Sequence, residues 1–125
     1  MPKTVAVLGA SADRSKYSNK AVRAYMQEGW DVYPVNPKGG TIEGLQAYMS
    51  LAEIPGHVDR VTVYLPPPVA VKALADIAKI KPDELFVNPG AESNELVAEA
   101  EKLGLDPILA CSIIDIGVSP SEFPS

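Results

Sequence analysis

Glycine and polar residues cluster in one short segment near the start of the chain, GASADRSKY, from Gly9 to Tyr17. The segment follows an apolar run and contains two serines, Arg14 and Lys16. Backbone N–H groups at the start of a helix bind anions, and nearby cationic side chains add to the attraction. The segment therefore predicts an anion-binding loop that leads into a helix.

A second segment, VYPVNPKGG (Val32–Gly40), places a lysine where many dinucleotide sites have an acid. NAD sites use an acidic residue at the end of the second strand to bind the ribose 2′-hydroxyl. Here the strand ends in Asn36-Pro37-Lys38, and a lysine attracts a phosphate on the adenosine ribose instead. Only Gly9 remains of the G-x-G-x-x-G fingerprint. These residues disfavour NAD and leave two ligands open, NADP and coenzyme A (CoA).

The elements that must position these segments alternate along the chain. Short apolar runs predict five strands, at Thr4–Leu8, Trp30–Val35, Arg60–Leu65, Leu85–Val87 and Pro107–Cys111. Helical spacing predicts three helices: one capped by Ser18 and stopped by Gly29, one with Pro68 in its first turn, and one from about Ser93 to Leu103. This alternation predicts an α/β fold, a doubly wound, mostly parallel five-stranded sheet of the Rossmann-like type.

Finer local predictions concern the second helix and the irregular segments. The inner face of the second helix is expected to carry Val69, Ala73, Leu74, Ile77 and Ala78. Residues 36–57 look irregular, apart from one short helical turn with a Ser50–Glu53 capping box. The core is expected over about residues 4–112 of a single domain, 1–125. The tail, 113–125, has little periodicity and is expected either to fray or to pack on a neighbouring subunit.

Ligands of open parallel sheets bind beyond the carboxyl ends of the strands. Four segments follow predicted strands, and all are rich in turn-forming residues: 9–17, 36–40, 66–68 and 88–90. The parallel arrangement brings them to one edge of the sheet. One ligand site is therefore expected at that edge.

Composition excludes several other classes of protein. The chain has 125 residues, 46% of them hydrophobic, which suits one domain, and no apolar run approaches the ~20 residues needed to span a bilayer. A net charge of −5 argues against nucleic acid as a partner. Six basic and three acidic side chains fall in residues 1–38, against five and thirteen in the rest. The single cysteine and single histidine disfavour a disulfide or a metal site, and a cytoplasmic location is expected.

Catalytic side chains are scarce. His57 lies in a connector and is interpreted as a surface histidine, and Cys111 follows a buried strand and is interpreted as a strand-end thiol. Neither has a visible partner for acid–base or nucleophilic chemistry. The tyrosines could stack on a purine, although most are expected in the core or at its rim.

Four stretches resemble the small stand-alone CoA-binding proteins, whose fold matches the N-terminal CoA-binding domain of the succinyl-CoA synthetase α subunit. They occur in family order over about residues 4–112. They read VAVLGASADRSKYSNKAVRAYM, GWDVYPVNPKGGTIEG, AYMSLAEIPGHVDRVTVYLPPP and ELFVNPGAES. VYPVNPK is the most specific part of the resemblance.

The resemblance implies a Rossmann-type domain that holds CoA or an acyl-CoA across the carboxyl edge of the sheet. The implied diphosphate loop consists of Gly9, Ser11, Ala12, Asp13 and Arg14, with Lys16 and Tyr17 after them. Asn36, Pro37 and Lys38 would meet the adenosine end, with Lys38 on its phosphate. Leu65 and Pro66 would form one wall of the nucleotide site. The pantetheine route would be flanked by Val87, Asn88, Pro89 and Gly90.

The chain departs from the related proteins in two places. The stand-alone proteins usually carry an Asp-Arg-Cys segment after the last strand, whereas this chain reads Ala110-Cys111-Ser112. The ligase domain of the synthetase and its phosphorylated histidine have no counterpart here. The resemblance thus implies binding without turnover, in a carrier, sensor or regulatory module. An NADP-type enzyme or subunit that needs a catalytic partner is the alternative, and an interaction domain without ligand is a third hypothesis. A homo-oligomer or a protein partner stays open.

Overall fold

The computed structural model describes residues 2–125, which contain seven strands and four α-helices. The strands are β1 (Thr4–Leu8), β2 (Asp31–Val35), β3 (Thr41–Ile42), β4 (Leu45–Gln46), β5 (Arg60–Val63), β6 (Glu84–Val87) and β7 (Pro107–Leu109). The α-helices are α1 (Tyr17–Gln27), α2 (Pro67–Ile80), α3 (Asn94–Lys102) and α4 (Ser112–Asp115). Short 3-10 helices occupy Leu51–Glu53 and Pro120–Glu122. None of the helices described here is long and apolar enough to cross a membrane.

Five strands form one all-parallel sheet in the order β2-β1-β5-β6-β7. The chain passes outward from β1 to β2 and then returns to the other side of β1 with β5. The order therefore reverses between β1 and β5, and the predicted doubly wound α/β fold is confirmed. A ligand crevice is expected at that reversal, outside the carboxyl ends of the two strands.

The three central strands, β1, β5 and β6, are buried on both faces, as their continuous apolar sequences require. The edge strand β7 is not, since Ile108 and Leu109 are 40% and 51% exposed, so the expectation that Cys111 follows a buried strand is wrong. Leu74 and Ile77 of α2, together with Leu96 of α3, pack on one face. Val22 and Tyr25 of α1 pack on the other. Burying each large side chain contributes about 1.5–3 kcal/mol, so the two layers hold the strand ends in fixed positions.

The start of α1 differs from the prediction. Lys16, not Ser18, is the N-cap residue, and its side chain makes no capping hydrogen bond. Ser18 lies inside the helix and is 5% exposed. The predicted stop is confirmed, because Gly29 follows the helix with a left-handed φ of 85°.

The inner face of α2 is also shifted. Ala70, Leu74 and Ile77 are its buried residues, whereas Val69 is 47% exposed, so the prediction for Val69 is wrong. The helix starts at Pro67, and the spacing of 70, 74 and 77 follows its geometry. β5 ends at Val63 rather than at the predicted Leu65, which leaves Leu65 in the loop before the helix.

The segment predicted as irregular contains a hairpin, β3–β4, closed by Glu43 and Gly44 with φ values of 50° and 79°. Positive φ angles at both central residues define this tight two-residue turn. Glu43 adopts its positive φ at a cost in backbone strain. The short helical turn at Leu51 is present, but its capping box is not. The Glu53 carboxylate accepts from the N–H of Met49 at 3.2 Å, and the Ser50 side chain caps nothing.

The C-terminal tail packs on its own domain, so the expectation of a fraying end is wrong for its last turn. Phe123 is 6% exposed and joins the cluster under α1. Arg23 of α1 donates to the carbonyls of Phe123 and Pro124 at 3.1 and 2.8 Å. β7 ends at Leu109, so Cys111 lies between that strand and α4.

Candidate functional site

Gly9 brings the carboxyl ends of β1 and β5 into direct contact. Its φ is +89°, and a Cβ at this position would lie 2.3 Å from the carbonyl oxygen of Tyr64. Its own N–H donates to the Val35 carbonyl at 3.1 Å. Glycine is thus required by both backbone conformation and space, and its N–H is already used within the protein.

Three clefts lie along this edge of the sheet. Cleft 1, about 270 Å³, is lined by Leu8, Gly9, Val35, Pro37, Met49, Ser50, Leu51, Leu65, Val69, Lys72, Ala73 and Asp76. Cleft 2, about 490 Å³, is lined by Gly9, Lys16, Tyr17, Ser18, Tyr64, Leu65, Pro66, Pro67, Pro89, Gly90 and Ala91. Cleft 3, about 320 Å³, is lined by Tyr17, Tyr64, Asn88, Pro89, Cys111, Ile114 and Pro120. Shared residues join each cleft to the next, so they form one groove.

The loop between β1 and α1 is held by its own side chains. Ser11 Oγ accepts from the N–H of Asp13 at 3.0 Å. The Asp13 carboxylate accepts from the hydroxyl and the N–H of Ser15 at 2.7 and 3.0 Å, and these hydrogen bonds lower its pKa. Among the described residues, the backbone N–H groups of Ser11, Ala12 and Arg14 have no partner. The Asp13 carboxylate is thus occupied in holding the loop, while three main-chain donors stay available.

The two helices that begin at the groove have opposite chemical character. α1 has no side-chain cap and no acid in its first turn, so the partial positive charge of its N-terminus faces outward. α2 begins with Pro66 as N-cap and Pro67 and Pro68 after it, and none of the three carries an N–H. An anion is therefore favoured at α1, and the start of α2 offers an apolar wall.

Asn36 connects the loop of α1 to the lysine segment. Its side-chain amide donates to the Ala10 carbonyl at 2.8 Å and accepts from the N–H of Lys38 at 2.8 Å. Its backbone N–H donates to the Tyr48 carbonyl at 2.9 Å. Lys38 is exposed, and its ammonium group lies in no salt bridge with any of the residues 2–125. A cation is thus presented beside Pro37, which lines cleft 1.

A second support, missed by sequence reasoning, comes from the hairpin turn. Asn19, which is fully buried, donates to the Ser11 carbonyl at 3.0 Å and to the Glu43 carboxylate at 3.1 Å. Glu43 also faces Arg14, with 3.8 Å between carboxylate and guanidinium. The Asn19 carbonyl oxygen accepts from Arg23 at 2.8 Å. Residues 11, 19 and 43 are separated in sequence, and the hairpin that carries Glu43 has strands of only two residues each. No local sequence pattern therefore predicts these contacts.

Asn88 is a structural residue beneath the groove. It is 2% exposed, and its amide donates to Thr62 Oγ1 at 2.7 Å and to the Val63 carbonyl at 2.9 Å. Its carbonyl oxygen accepts from the N–H of Ser112 at 2.9 Å. Ser112 Oγ and Thr62 Oγ1 are 2.7 Å apart. Every polar atom of the Asn88 side chain is thus occupied, and the network fixes the start of α4 beside cleft 3.

The sequence-predicted site residues divide between the groove and its surroundings. Those that line a cleft are Gly9, Lys16, Tyr17, Pro37, Leu65, Pro66, Asn88, Pro89 and Gly90. Those in the two adjoining loops are Ser11, Ala12, Asp13, Arg14, Asn36 and Lys38. Val87 is 1% exposed in the core and lines none of the three clefts. Tyr64, Lys72 and Asp76 also line clefts, although they were not among the predicted site residues.

His57 lies at the opposite edge of the sheet, just before β5. Its Nε2 atom is 3.1 Å from the Asp83 carboxylate and 3.9 Å from that of Asp59. The Asp59 pKa is lowered, first by the hydrogen bond from the backbone N–H of Thr4. His57 therefore belongs to a surface cluster with two aspartates, at the edge of the sheet opposite the groove.

An all-parallel Rossmann-like sheet with a continuous groove at its order reversal defines an α/β ligand-binding domain. The chain belongs to the family described as the CoA binding domain, whose model matches residues 3–116. The predicted family resemblance is thereby confirmed.

Comparisons with individual proteins agree with that membership. The chain is 31% identical over 137 aligned residues to subunit alpha of the ADP-forming acetate–CoA ligase I of Pyrococcus furiosus, covering 97% of this chain and 29% of the relative. A conserved hypothetical protein from Pyrococcus furiosus superimposes with a TM-score of 0.81 at 31% identity, covering 92% of this chain and 99% of that one. The dinucleotide forming acetyl-coenzyme A synthetase 1 of Ca. Korarchaeum cryptofilum, in complex with phosphate and ADP, gives 0.71 at 27% identity, over 88% of this chain and 26% of that one. The chain spans less than a third of the ligase relative's length.

Proposed function

We propose that the chain binds CoA or an acyl-CoA along the groove, as a non-catalytic carrier, sensor or regulatory module. The observation that carries this proposal is the pairing of an uncapped α1 N-terminus with an unpaired Lys38, both tied together by Asn36. Two anionic parts of one ligand, a diphosphate and a ribose phosphate, match these two positive features. Membership of the CoA binding domain family supports the same ligand.

The diphosphate is assigned to the loop before α1. Ser11, Ala12 and Arg14 offer main-chain N–H groups there, and the Arg14 and Lys16 side chains add positive charge. Since α2 starts with prolines, it cannot compete for the phosphates. Charge-assisted hydrogen bonds from these donors would bind the diphosphate and fix its position.

The adenosine is assigned to cleft 1, with its 3′-phosphate on Lys38. Most of the cleft lining is apolar, as a purine requires, and Lys72 and Asp76 are its charged members. Pro37, which precedes Lys38 in the sequence, forms part of the lining of cleft 1. Cleft 2 then receives the pantetheine, between Leu65 and Pro66 on one side and Pro89 and Gly90 on the other.

The non-catalytic part of the proposal rests on two side chains, those of His57 and Asn88. His57 is at the far edge of the sheet, and the Asn88 side chain is fully occupied by protein hydrogen bonds. Any chemistry on the bound thioester would come from a protein partner, as the name of the ligase relative, a subunit, suggests. The free thiol of Cys111 suits a reducing cytoplasm.

Calorimetric titration with CoA, dephospho-CoA, NADP and NAD tests the proposal. CoA should bind most tightly, and dephospho-CoA should bind more weakly because it lacks the phosphate for Lys38. Tighter binding of NADP than of CoA would favour the alternative, an NADP-type subunit. Absence of binding to all four ligands would refute the proposed function.

A further inference from the structure

Cleft 3 has a lining unlike that of the other two clefts. Two tyrosine rings, two prolines, Ile114 and the Cys111 thiol surround it, Asn88 is its one amide side chain, and no charged side chain of the described residues lines it. It is also the most enclosed of the three. Ile114 and Tyr17 are 63% and 62% exposed, so two large side chains border the cleft and stay open to solvent, with Lys20 Nζ 5.6 Å from the centroid of the Tyr17 ring.

The position of cleft 3 follows the direction of the ligand. It shares Tyr17, Tyr64 and Pro89 with cleft 2, where the pantetheine is assigned. A ligand with its adenosine in cleft 1 therefore directs its sulfur toward cleft 3. The volume of about 320 Å³ corresponds to about ten water molecules, which leaves room for a group of several carbons beyond the sulfur.

The Tyr64 ring lies at this junction, because it lines both cleft 2 and cleft 3. Its hydroxyl is buried, and burial raises the pKa of that hydroxyl, an effect that Ser112 and Thr62 offset only in part. Since Ser112 and Thr62 are themselves fully buried, the hydroxyl faces the interior, and the ring gives the cleft an apolar surface.

We propose that cleft 3 is an acyl pocket, and that the preferred ligand is the thioester of CoA with a short, uncharged acyl group. The acyl carbons fill the apolar lining beside the Tyr64 ring. A carboxylate on the acyl group would lose its hydration in cleft 3, and no cationic side chain of the described chain lines the cleft to compensate for that loss. This inference rests on the proposed function and specifies its ligand.

Calorimetry under reducing conditions with CoA, acetyl-CoA, butyryl-CoA and succinyl-CoA tests the inference. Butyryl-CoA should bind about tenfold more tightly than CoA, the effect of burying two or three carbons. Acetyl-CoA should lie between them, and succinyl-CoA should bind at least about tenfold more weakly than butyryl-CoA. If CoA binds and butyryl-CoA binds no better, the acyl pocket is refuted while the CoA site stands. If no ligand binds, the proposed function fails with it.

Discussion

The side-chain amide of Asn36 donates a hydrogen bond of 2.8 Å to the backbone carbonyl of Ala10. Through this contact the end of β2 holds the loop that follows β1, and the same side chain accepts from the N–H of Lys38. Asn36 thus helps to set the relative position of the α1 N-terminus and Lys38. In the proposed complex, that position sets the spacing between the diphosphate and the ribose phosphate of the ligand.

Replacing Asn36 by Asp tests this connection. The carboxylate can still accept from Lys38 N–H, but it cannot donate to Ala10, whose carbonyl is buried. We expect a loss of about 1–3 kcal/mol in the free energy of unfolding. CoA affinity should fall at least about tenfold, because a new negative charge lies beside the phosphates. Asn94→Asp, at the exposed first residue of α3, is the matched control: it should leave CoA affinity unchanged, and the free energy of unfolding should not fall, because a helix N-terminus favours a negative charge.

The contact of Gly9 with Tyr64 predicts a steric effect on stability. Gly9→Ala would place a methyl group 2.3 Å from a backbone carbonyl at a φ of +89°. Gly29→Ala has nearly the same φ, +85°, with nothing within 4 Å of its added Cβ. The Gly29 variant should lose about 1–2 kcal/mol of unfolding free energy, from backbone strain alone, and the Gly9 variant should lose clearly more. Equal losses in chemical denaturation would contradict the steric interpretation.

Arg60 clamps the C-terminal helix to the sheet. Its guanidinium, 6% exposed, pairs with Glu84 and Asp115 at 2.9 Å each and lies 4.3 and 5.0 Å from the ring centroids of Phe86 and Trp30. Arg60→Met keeps much of the packing, and the two unpaired carboxylates, 36% and 44% exposed, regain water, so we expect a loss of about 1–2 kcal/mol. Because α4 is then released, Cys111 should react faster with a thiol reagent. An unchanged reaction rate would show that the clamp does not hold α4.

Asp59 predicts a pH-dependent contribution to stability. The backbone N–H of Thr4 donates to its carboxylate at 2.8 Å and lowers its pKa in the folded protein. The stabilisation is therefore complete above the unfolded pKa of about 3.9 and is lost as pH falls through the lower folded pKa. Thermal melts of the wild type and Asp59→Asn should differ at pH 7 and converge between about pH 5 and pH 2. A difference that persists at acid pH would contradict this mechanism.

The large elements of the fold were predictable because each has a strong local signal. β1 and β6 follow from apolar runs, and α3 follows from helical spacing between about Ser93 and Leu103; the structure has all three within one or two residues. The α1 N-cap was not predictable from propensity. In isolation, Ser18 is a better N-cap residue than Lys16. The side chains of Ser11 and Asp13 close the loop before α1, however, and the helix therefore begins earlier in the chain, at Tyr17.

The site was partly predictable for a similar reason. The segments around Gly9 and Lys38 stand out by their residue types, and topology brings strand ends together. The contacts that support them join residues far apart in sequence, such as Asn19 with Glu43 and Thr62 with Ser112. Tyr64 was considered only for stacking on a purine, and only the structure reveals that its ring lines clefts 2 and 3.

The most direct test of the central claim compares CoA with dephospho-CoA on the wild type and on Lys38→Ala. A charge-assisted contact of ~1.5–3 kcal/mol predicts a loss of about ten- to hundredfold for CoA in the variant. Dephospho-CoA should lose little, and Lys79→Ala, an exposed lysine of α2 that lines none of the clefts, should bind both ligands as the wild type does. Equal losses for the two ligands in Lys38→Ala would contradict the claim that Lys38 binds the 3′-phosphate.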